Sequence, residues 1–215
     1  MSDEEKIPIF PLGVVLLPHS MLPLHIFEER YKQMINECLG GKKLFGVVYL
    51  ENKHMHKTGC TAYIEKVIKK YDDGRMDILV TGRNRFRITD ISEEKPYLES
   101  NIVYFEDELL IETPELTELA RDGIALLKRL EKVMEVNEGL DRVKSLNFKV
   151  ISFLLAGSQG LTLAEKQELL EIESTSERLM RSVELLKTAL NRARLMKQIR
   201  NIRTDILMTH GFSKN

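Results

Sequence analysis

The stretch IPIFPLGVVLLPHSMLPLHIF, residues 7–27, decides the fold that we expect for this chain. A short strand over residues 6–10 is expected to stop at Pro11, because proline has no N–H to donate to a sheet ladder. The stretch predicts an irregular, tightly turned segment rather than one long strand, because it holds four prolines: Pro8, Pro11, Pro18 and Pro23.

The residues that follow predict one helix and then a series of strands. Residues 28–39 place apolar side chains at helical spacing and end at Gly40, so they predict a helix. A slip in alternation at Val67 indicates a bulge, and Gly82 is expected to break a strand. Strands are predicted over residues 44–50, 60–70, 76–81, 86–88 and 97–105, with a turn at 72–74. Short strands at such regular spacing indicate a small, closed or nearly closed β-structure.

The second half of the chain has helical periodicity. Thr113 is a predicted N-cap with Pro114 at the first helical position. Further helices are predicted over residues 143–156 and 163–171, and from residue 174 or 175 to about 209, with a break at 137–139. The prediction is therefore an α+β fold with a β-rich subdomain, residues 1–112, and an α-helical subdomain, residues 113–215.

Composition indicates an ordinary globular chain. Hydrophobic residues make up 43% of the 215 residues, charged residues 30%, and the net charge is −1, so charge predicts no nucleic acid or membrane partner. The chain starts with acidic residues rather than a signal peptide, and its longest apolar runs are too short to span a bilayer. The two cysteines, Cys38 and Cys60, imply no disulfide framework, so we expect a cytoplasmic protein.

Four blocks of sequence, in order, resemble the N-terminal substrate-binding domain of Lon proteases. They are residues 7–27, 28–39 (EERYKQMINECL), 79–91 (LVTGRNRFRITDI) and 161–179 (LTLAEKQELLEIESTSERL). The resemblance implies a PUA-like β pseudo-barrel with one helix, followed by a helical bundle that ends in a long helix. It also implies a role in holding protein substrates or partners.

The departures from a whole Lon protease bear on function. The 215 residues contain no Gly-x-x-x-x-Gly-Lys-Ser/Thr phosphate loop, and no peptidase segment with a Ser–Lys pair is apparent. The serine of Gly157-Ser158-Gln159-Gly160 does not have the spacing of a nucleophile elbow, so we interpret it as part of a loop. We therefore expect a stand-alone bacterial member without cofactor or catalysis, which binds unfolded or tagged polypeptides or a specific partner protein.

Two loops of the β-rich half are the predicted contact surfaces, Leu17 to Ile26 and Gly82 to Phe86. The candidate partner-binding residues on them are His19, Met21, Leu22, His25, Arg83 and Arg85. In an extended chain, Arg83, Arg85 and Arg87 would project to one side while Phe86 faces the core. Three interpretations of this arginine row stay open: a solvated strand face, a protein contact, or an RNA-binding module built on the PUA-like half.

Two further patterns carry hypotheses. His54, His56 and Cys60 are metal-ligand residue types, but no fourth ligand is evident, so we expect an exposed hairpin loop and no metal. In the last helix, residues 185–203 hold six basic residues and no acidic one. Apolar residues continue beyond Arg194, where a domain of this size is not expected to cover them. We therefore expect this end of the helix to meet a partner, with self-association as one option.

Overall fold

The computed structural model describes residues 5–136 and 147–210, with the backbone alone for residues 203–210. The described strands are β1 (Glu5–Leu12), β2 (Met21–Ile26), β3 (Leu44–Glu51), β4 (His54–Lys70), β5 (Met76–Ile88) and β6 (Leu98–Tyr104). The helices are α1 (Glu29–Gly40), α2 (Pro114–Met134), α3 (Phe148–Ala156), α4 (Leu163–Glu171) and α5 (Thr175–His210). The α+β prediction is confirmed.

The strands form one mixed sheet in the order β2-β5-β4-β3-β1-β6. β1 and β3 run parallel, whereas the other pairs in this order are antiparallel. β5 pairs a second time, with β6, where Phe86 lies opposite Tyr104 and Ile88 opposite Ile102. This second pairing closes the sheet on itself and leaves β2 as an edge strand, paired with β5 alone among the described strands.

Phe86 is an aromatic ring in the core cluster of this closed sheet, and two glycines make room for it. It is fully buried, as the alternation predicted, and packs with Ile7, Ile9, Val48 and Ile102. A Cβ atom on Gly46 would lie 2.6 Å from the Phe86 Cζ atom, and one on Gly59 would lie 2.7 Å from it. Only glycine at both positions lets the ring reach the centre of the sheet.

Prolines proved compatible with strands, contrary to our expectation. β1 continues through Pro11, which pairs with Val48 of β3. The pairing of β1 with β6 ends at Ile9, so Pro11 has no partner on β6. Its missing N–H therefore removes no hydrogen bond to that strand. The segment predicted to be irregular contains β2, and its Pro23 is tolerated because β2 is an edge strand.

β5 runs unbroken through Gly82, where a break was predicted. The Gly82 N–H donates to the Ser20 carbonyl at 2.9 Å, and the Gly82 carbonyl accepts from the His19 N–H at 2.9 Å. A Cβ at this position would lie 2.1 Å from the Leu17 carbonyl oxygen. Gly82 therefore permits a close backbone approach by residues 17–20 instead of ending the strand.

β4 begins six residues earlier than the predicted start at Cys60. The turn before it is formed by Asn52 and Lys53, both with positive φ (48° and 68°), the backbone that tight hairpins require. The bulge predicted near Val67 is confirmed, because the register with β5 shifts between Val67 and Lys69. The long β4–β5 hairpin brings β5 beside β2.

The helical predictions hold where they can be compared. The Thr113 side chain accepts from the Leu116 N–H at 3.3 Å, and Pro114 opens α2. α3 starts at Phe148, with Asn147 as its cap. The predicted break at 137–139 and residues 143–146 of the predicted third-helix region lie outside the described residues. None of the described helices has both the length and the apolar character needed to cross a membrane.

The chain separates into two compact units. The β-rich unit comprises Met1–Leu110 with Leu163–Thr175, and the helical unit comprises Ile111–Thr162 with Ser176–Asn215. α4 thus packs with the strands, although we expected it in the helical half, and its Gln167 Nε2 donates to the Thr58 carbonyl at 3.1 Å. The division into subdomains 1–112 and 113–215 stays a prediction.

Candidate functional site

The loop before β2 is held by its own side chain–backbone bonds. The Ser20 hydroxyl donates to the Leu17 carbonyl at 2.6 Å and accepts from the Leu17 N–H at 3.2 Å. His19 takes a left-handed conformation with φ 65°, and Leu16 and Leu17 are buried. These contacts fix the direction in which the chain enters β2.

β2 presents one face of side chains to solvent. Its outward face carries Met21, Pro23 and His25, and Met21 is 70% exposed. Leu22 and Leu24 alternate with them and are half-buried. Phe27 follows directly after β2 and is 60% exposed, which is unusual for a ring of this size.

An open cleft of about 650 Å³, which we call the β2 cleft, lies beside this strand. Two buried rings, Phe10 and Tyr31, meet in its lining with centroids 4.1 Å apart. The other apolar and aromatic residues that line it are Pro11, Leu12, Leu24, Ile26, Phe27, Leu50, Pro96, Tyr97 and Leu98. A concave apolar surface of this kind is typical of a binding site.

Ion pairs hold the polar rim of the cleft. The Arg30 guanidinium bonds the Glu28 carboxylate at 2.8 Å and lies 4.5 Å from the centroid of the Tyr31 ring. His25 Nδ1 lies 2.6 Å from an Asp77 carboxylate oxygen, and the hydrogen bond lowers the pKa of Asp77. The charged residues that line the cleft include both signs, Arg30 and Lys95 beside Glu28 and Glu93, so the lining carries no excess of one sign among these four residues.

A second cluster fixes the loop that forms the far wall. Lys95 Nζ donates to Glu37 at 2.8 Å, and the Tyr97 hydroxyl donates to the same Glu37 carboxylate at 2.5 Å. These bonds, that of Lys95 first, lower the pKa of Glu37 to about 2. Burial raises the pKa of Tyr97 to about 12. The wall residues Pro96 and Tyr97 are thereby tied to α1.

The lining of the cleft is mainly apolar and aromatic. Its charged residues are Glu28, Arg30, Glu93 and Lys95. Both cysteines are buried, and burial raises the pKa of the Cys38 thiol to about 11 and of the Cys60 thiol to about 12. Neither thiol is therefore ionised near neutral pH, where a nucleophilic cysteine needs to be a thiolate.

The arginine row is not uniformly exposed to solvent. Arg85 and Arg87 both lie over the Phe105 ring, but Arg85 is covered. Arg85 is only 2% exposed, and its guanidinium donates to the Leu170 and Ile172 carbonyls at 2.9 and 2.5 Å and to the Asp107 carboxylate. The α4 helix ends at Glu171, so Arg85 satisfies carbonyls that a helix end leaves without partners. The predicted contact role of Arg85 is corrected to a structural one, since a buried guanidinium is not accessible to a partner.

The neighbouring arginines are exposed but paired. Arg83 donates to Glu65 at 2.9 Å, and Arg87 donates to Glu173. Their positive charges are therefore already matched by carboxylates. This pairing reduces their value as a phosphate-binding surface and weakens the RNA interpretation of the row.

The six predicted contact residues are only partly brought together. His25 lines the β2 cleft, and Met21 lies four residues before it on the same face of β2. Leu22 lies on the other face of β2. His19 is exposed in the preceding loop, where its backbone N–H bonds the Gly82 carbonyl. Arg83 lies on β5, two residues after Thr81, which pairs with Met21.

Several lining residues were not predicted from sequence, chiefly Phe10, Tyr31, Leu50 and Tyr97. They come from four separate elements or loops, so no local spacing joins them. Phe27 is the last residue of the 7–27 stretch. It could have been identified because it is a large apolar residue directly after the predicted contact loop, Leu17 to Ile26.

The candidate metal ligands take separate structural roles. His54 and His56 open β4, and the His56 ring stacks on Tyr49 at 5.2 Å. Cys60 is fully buried in the β4 ladder opposite Val47. The part of the chain that the structure describes contains no group of three or more potential ligands placed to hold a metal ion.

Comparison with known proteins shows the family to which this chain is similar. Residues 6–188 match the family model of the ATP-dependent protease La (LON) substrate-binding domain. Curated relatives include the Lon protease of Flavobacterium johnsoniae, 27% identical over 96% of this chain, and that of Buchnera aphidicola, 28% identical over 93%. The aligned part is 27% of each of these proteins, so the chain spans about a quarter of their length.

Solved structures show the same fold. A Lon N-terminal domain protein from Xanthomonas campestris superposes with a TM-score of 0.64 at 24% identity, covering 82% of this chain and 96% of that one. The N-terminal domain of Mycobacterium avium complex Lon protease gives 0.68 at 19% identity, covering 85% and 98%. The chain belongs to the family of Lon substrate-binding domains.

Proposed function

We propose that this chain is a non-catalytic recognition module that binds unfolded or tagged polypeptides, or a partner protein, through the β2 cleft. The observation that carries the proposal is the open apolar cleft with exposed Phe27 in its lining, in a member of a substrate-binding family. Exposed Met21 lies at the start of β2, the strand that borders this cleft. Large apolar side chains left in solvent beside a concave surface mark protein-contact sites.

The composition of the cleft suits varied apolar clients. Phe27 supplies a large exposed contact area in the cleft. Met21 lies on the same strand outside the lining, and it is flexible and polarisable, so it adapts to side chains of different shape. Affinity for a flexible client should be modest, because the client loses conformational entropy on binding. Modest affinity suits a module that binds many sequences and releases them.

β2 adds a second means of contact. It is the outer strand of the sheet order, next to β5, and borders the cleft through Leu24, His25 and Ile26. An extended segment can lie along such an edge and use backbone hydrogen bonds that do not depend on its sequence. Pro23 interrupts the donors of this edge, which limits uncontrolled pairing between copies.

The proposal assigns binding without catalysis to this chain. The curated relatives that are named proteases are about four times longer than the aligned part, so their activity is not transferred here. We expect neither ATP hydrolysis nor peptidase activity from these 215 residues. With two buried free cysteines, we also propose that the protein acts in the cytoplasm.

Fluorescence anisotropy tests the proposal with two labelled probes, a permanently unfolded polypeptide and a short single-stranded RNA, each at low and high salt. Apolar binding should hold or strengthen as salt rises, whereas phosphate binding should fall steeply. Salt-tolerant binding to the polypeptide alone supports the proposal. Salt-sensitive binding to RNA alone would replace it with the RNA-binding alternative, and binding to neither would point to a specific folded partner.

The end of α5 supports a separate contact between copies of the chain. Leu195, Ile199 and Ile202 recur at helical spacing and are 57%, 52% and 59% exposed. Apolar residues at three- and four-residue intervals on an exposed helix face are typical of a coiled-coil seam. We therefore propose that copies of this chain can also associate with one another through this face.

A further inference from the structure

A groove in the helical unit is distinct from both the β2 cleft and the Leu195–Ile202 face. It has a volume of about 480 Å³ and is bordered by the end of α2, the loop between α3 and α4, and α5. Ala189, Ala193 and Met196 lie at positions i, i+4 and i+7 of α5 and form one apolar side, opposite Val133 and Met134. We call it the α5 groove.

The rim of the α5 groove is basic. Arg192, Lys197 and Arg200 line it, and all three are exposed, whereas Glu135 is the one carboxylate among the described residues that line it. The six basic residues in the 185–203 stretch have no acidic residue among them. The positive charge is therefore concentrated on this helix although the whole chain is nearly neutral.

The groove already holds one carboxylate of the chain itself. Lys197 Nζ bonds the Glu135 carboxylate at 2.8 Å, and both side chains are largely exposed, 45% and 70%. Glu135 ends α2 in a left-handed conformation, φ 61°, which turns the chain at the rim. A carboxylate at this rim can therefore approach Lys197 of α5 to hydrogen-bond distance.

We propose that the α5 groove binds an acidic polypeptide segment that also carries bulky apolar residues. Its carboxylates pair with Arg192, Lys197 and Arg200, while its apolar side chains contact Met134 and Met196. Methionines adapt their shape to different apolar residues, and a basic rim selects acidic partners by charge complementarity. The β2 cleft differs, because its lining holds two carboxylates, Glu28 and Glu93, beside two cations, Arg30 and Lys95.

The lining favours protein over the other anionic classes of macromolecule. The described residues of the groove include no aromatic ring on which a base could stack, which single-stranded nucleic acid sites generally need. The apolar side chains lie between basic residues in a concave surface, whereas a helix that lies on a membrane exposes its apolar face outward. An acidic amphipathic helix or strand fits the concave, apolar and basic combination.

Arg200→Glu and Arg194→Glu make a matched pair of variants on α5. The two substitutions change the charge equally on one helix, but Arg194 is exposed and does not line the groove. Binding is measured by anisotropy with a labelled peptide of alternating Glu-Leu pairs, using the full chain. Arg200→Glu should weaken binding at least about tenfold, whereas Arg194→Glu should leave it within about twofold. Glu135→Gln should strengthen it, because the internal competitor for Lys197 is removed.

Comparison peptides separate the alternatives, and each result decides the proposal. A peptide with serine in place of leucine should bind at least about tenfold more weakly, as should a single-stranded RNA and anionic vesicles. Equal binding of any of these, or equal effects of Arg200→Glu and Arg194→Glu, would overturn the proposal. The variants are also compared in a Phe27→Ser background, which weakens any contact of the peptide with the β2 cleft, and the difference between Arg200→Glu and Arg194→Glu should persist there. Absence of peptide binding to the unsubstituted chain would contradict the α5 groove.

Discussion

The Arg85 Nη1 atom donates a 2.9 Å hydrogen bond to the carbonyl oxygen of Leu170, 85 residues further along the chain. A second bond goes to Ile172, and Asp107, itself only 5% exposed, accepts from the other end of the guanidinium. A buried charge is tolerated only when it is paired and hydrogen-bonded, and these three partners meet that requirement. One strand side chain thus binds the end of α4 within the β-rich unit.

Replacement of Arg85 should destabilise the protein strongly. Arg85→Met leaves the Asp107 carboxylate buried without its cation, and breaking a buried pair in this way costs about 3–5 kcal/mol. Urea unfolding followed by circular dichroism measures the loss. Arg83→Met is the matched control, because the exposed Arg83–Glu65 pair is worth at most about 1 kcal/mol. Equal losses for both variants would contradict the structural role assigned to Arg85.

Gly46→Ala should destabilise by overpacking. The added Cβ would lie 2.6 Å from Phe86 and 2.9 Å from Ile9, and such crowding typically costs about 1–3 kcal/mol. Gly13→Ala is the control, because nothing lies within 4 Å of its added Cβ. The double variant Gly46→Ala/Phe86→Leu should recover part of the melting temperature relative to Phe86→Leu alone. A Gly46→Ala protein as stable as the unsubstituted chain would contradict the packing described around Phe86.

Features of the fold could be predicted from the sequence where the interacting residues lie close together along the chain. Thr113-Pro114 marks the start of α2, and the apolar run at 44–50 marks β3, because each signal lies within a few residues. Phe86 was correctly placed in the core from alternation. β2 was missed because its prolines argue locally against a strand, and only its position at the sheet edge makes them acceptable.

The site was less predictable than the fold for the same reason. His25 was among the predicted contact residues and lines the β2 cleft, because it lies within the stretch singled out from the sequence. A contact role for Met21 and His25 stays a prediction. Phe10, Tyr31 and Tyr97 meet only after β1, α1 and the loop before β6 have packed. The alternating arginines at positions 83, 85 and 87 are typical of an exposed strand face. The burial of Arg85 depends on α4, which is remote in sequence.

Stability should fall as acid protonates Glu37. Its pKa is lowered from 4.5 to about 2, chiefly by Lys95 and then by Tyr97, so the folded state holds the ionised form more strongly than the unfolded state does. This contribution is fully present above about pH 4.5 and is lost as pH falls toward 2. The free energy of unfolding, measured from pH 6 to pH 2, should therefore fall less steeply for Glu37→Gln. Identical pH profiles would exclude Glu37 as a contributor.

Removal of the apolar face at the end of α5 should lower the mass of any assembly. If Leu195, Ile199 and Ile202 form a seam between copies, Leu195→Ser/Ile199→Ser should convert a dimer or larger species into a monomer in sedimentation equilibrium. Because these side chains are exposed, the double change should move monomer stability by less than about 1 kcal/mol. If the unsubstituted chain is a monomer at all concentrations, the proposed self-association is wrong.

The affinity of an unfolded polypeptide for Phe27→Ser tests the recognition account most directly. Phe27 is 60% exposed in the β2 cleft, whereas Ile68 is a similarly exposed apolar residue, at 55%, on β4 outside the cleft lining, so Ile68→Ser is the matched control. The account predicts that Phe27→Ser raises the dissociation constant at least about tenfold, with unchanged urea unfolding, while Ile68→Ser changes it less than about twofold. Equal affinities for the unsubstituted chain and both variants would contradict the assignment of the β2 cleft as the binding site.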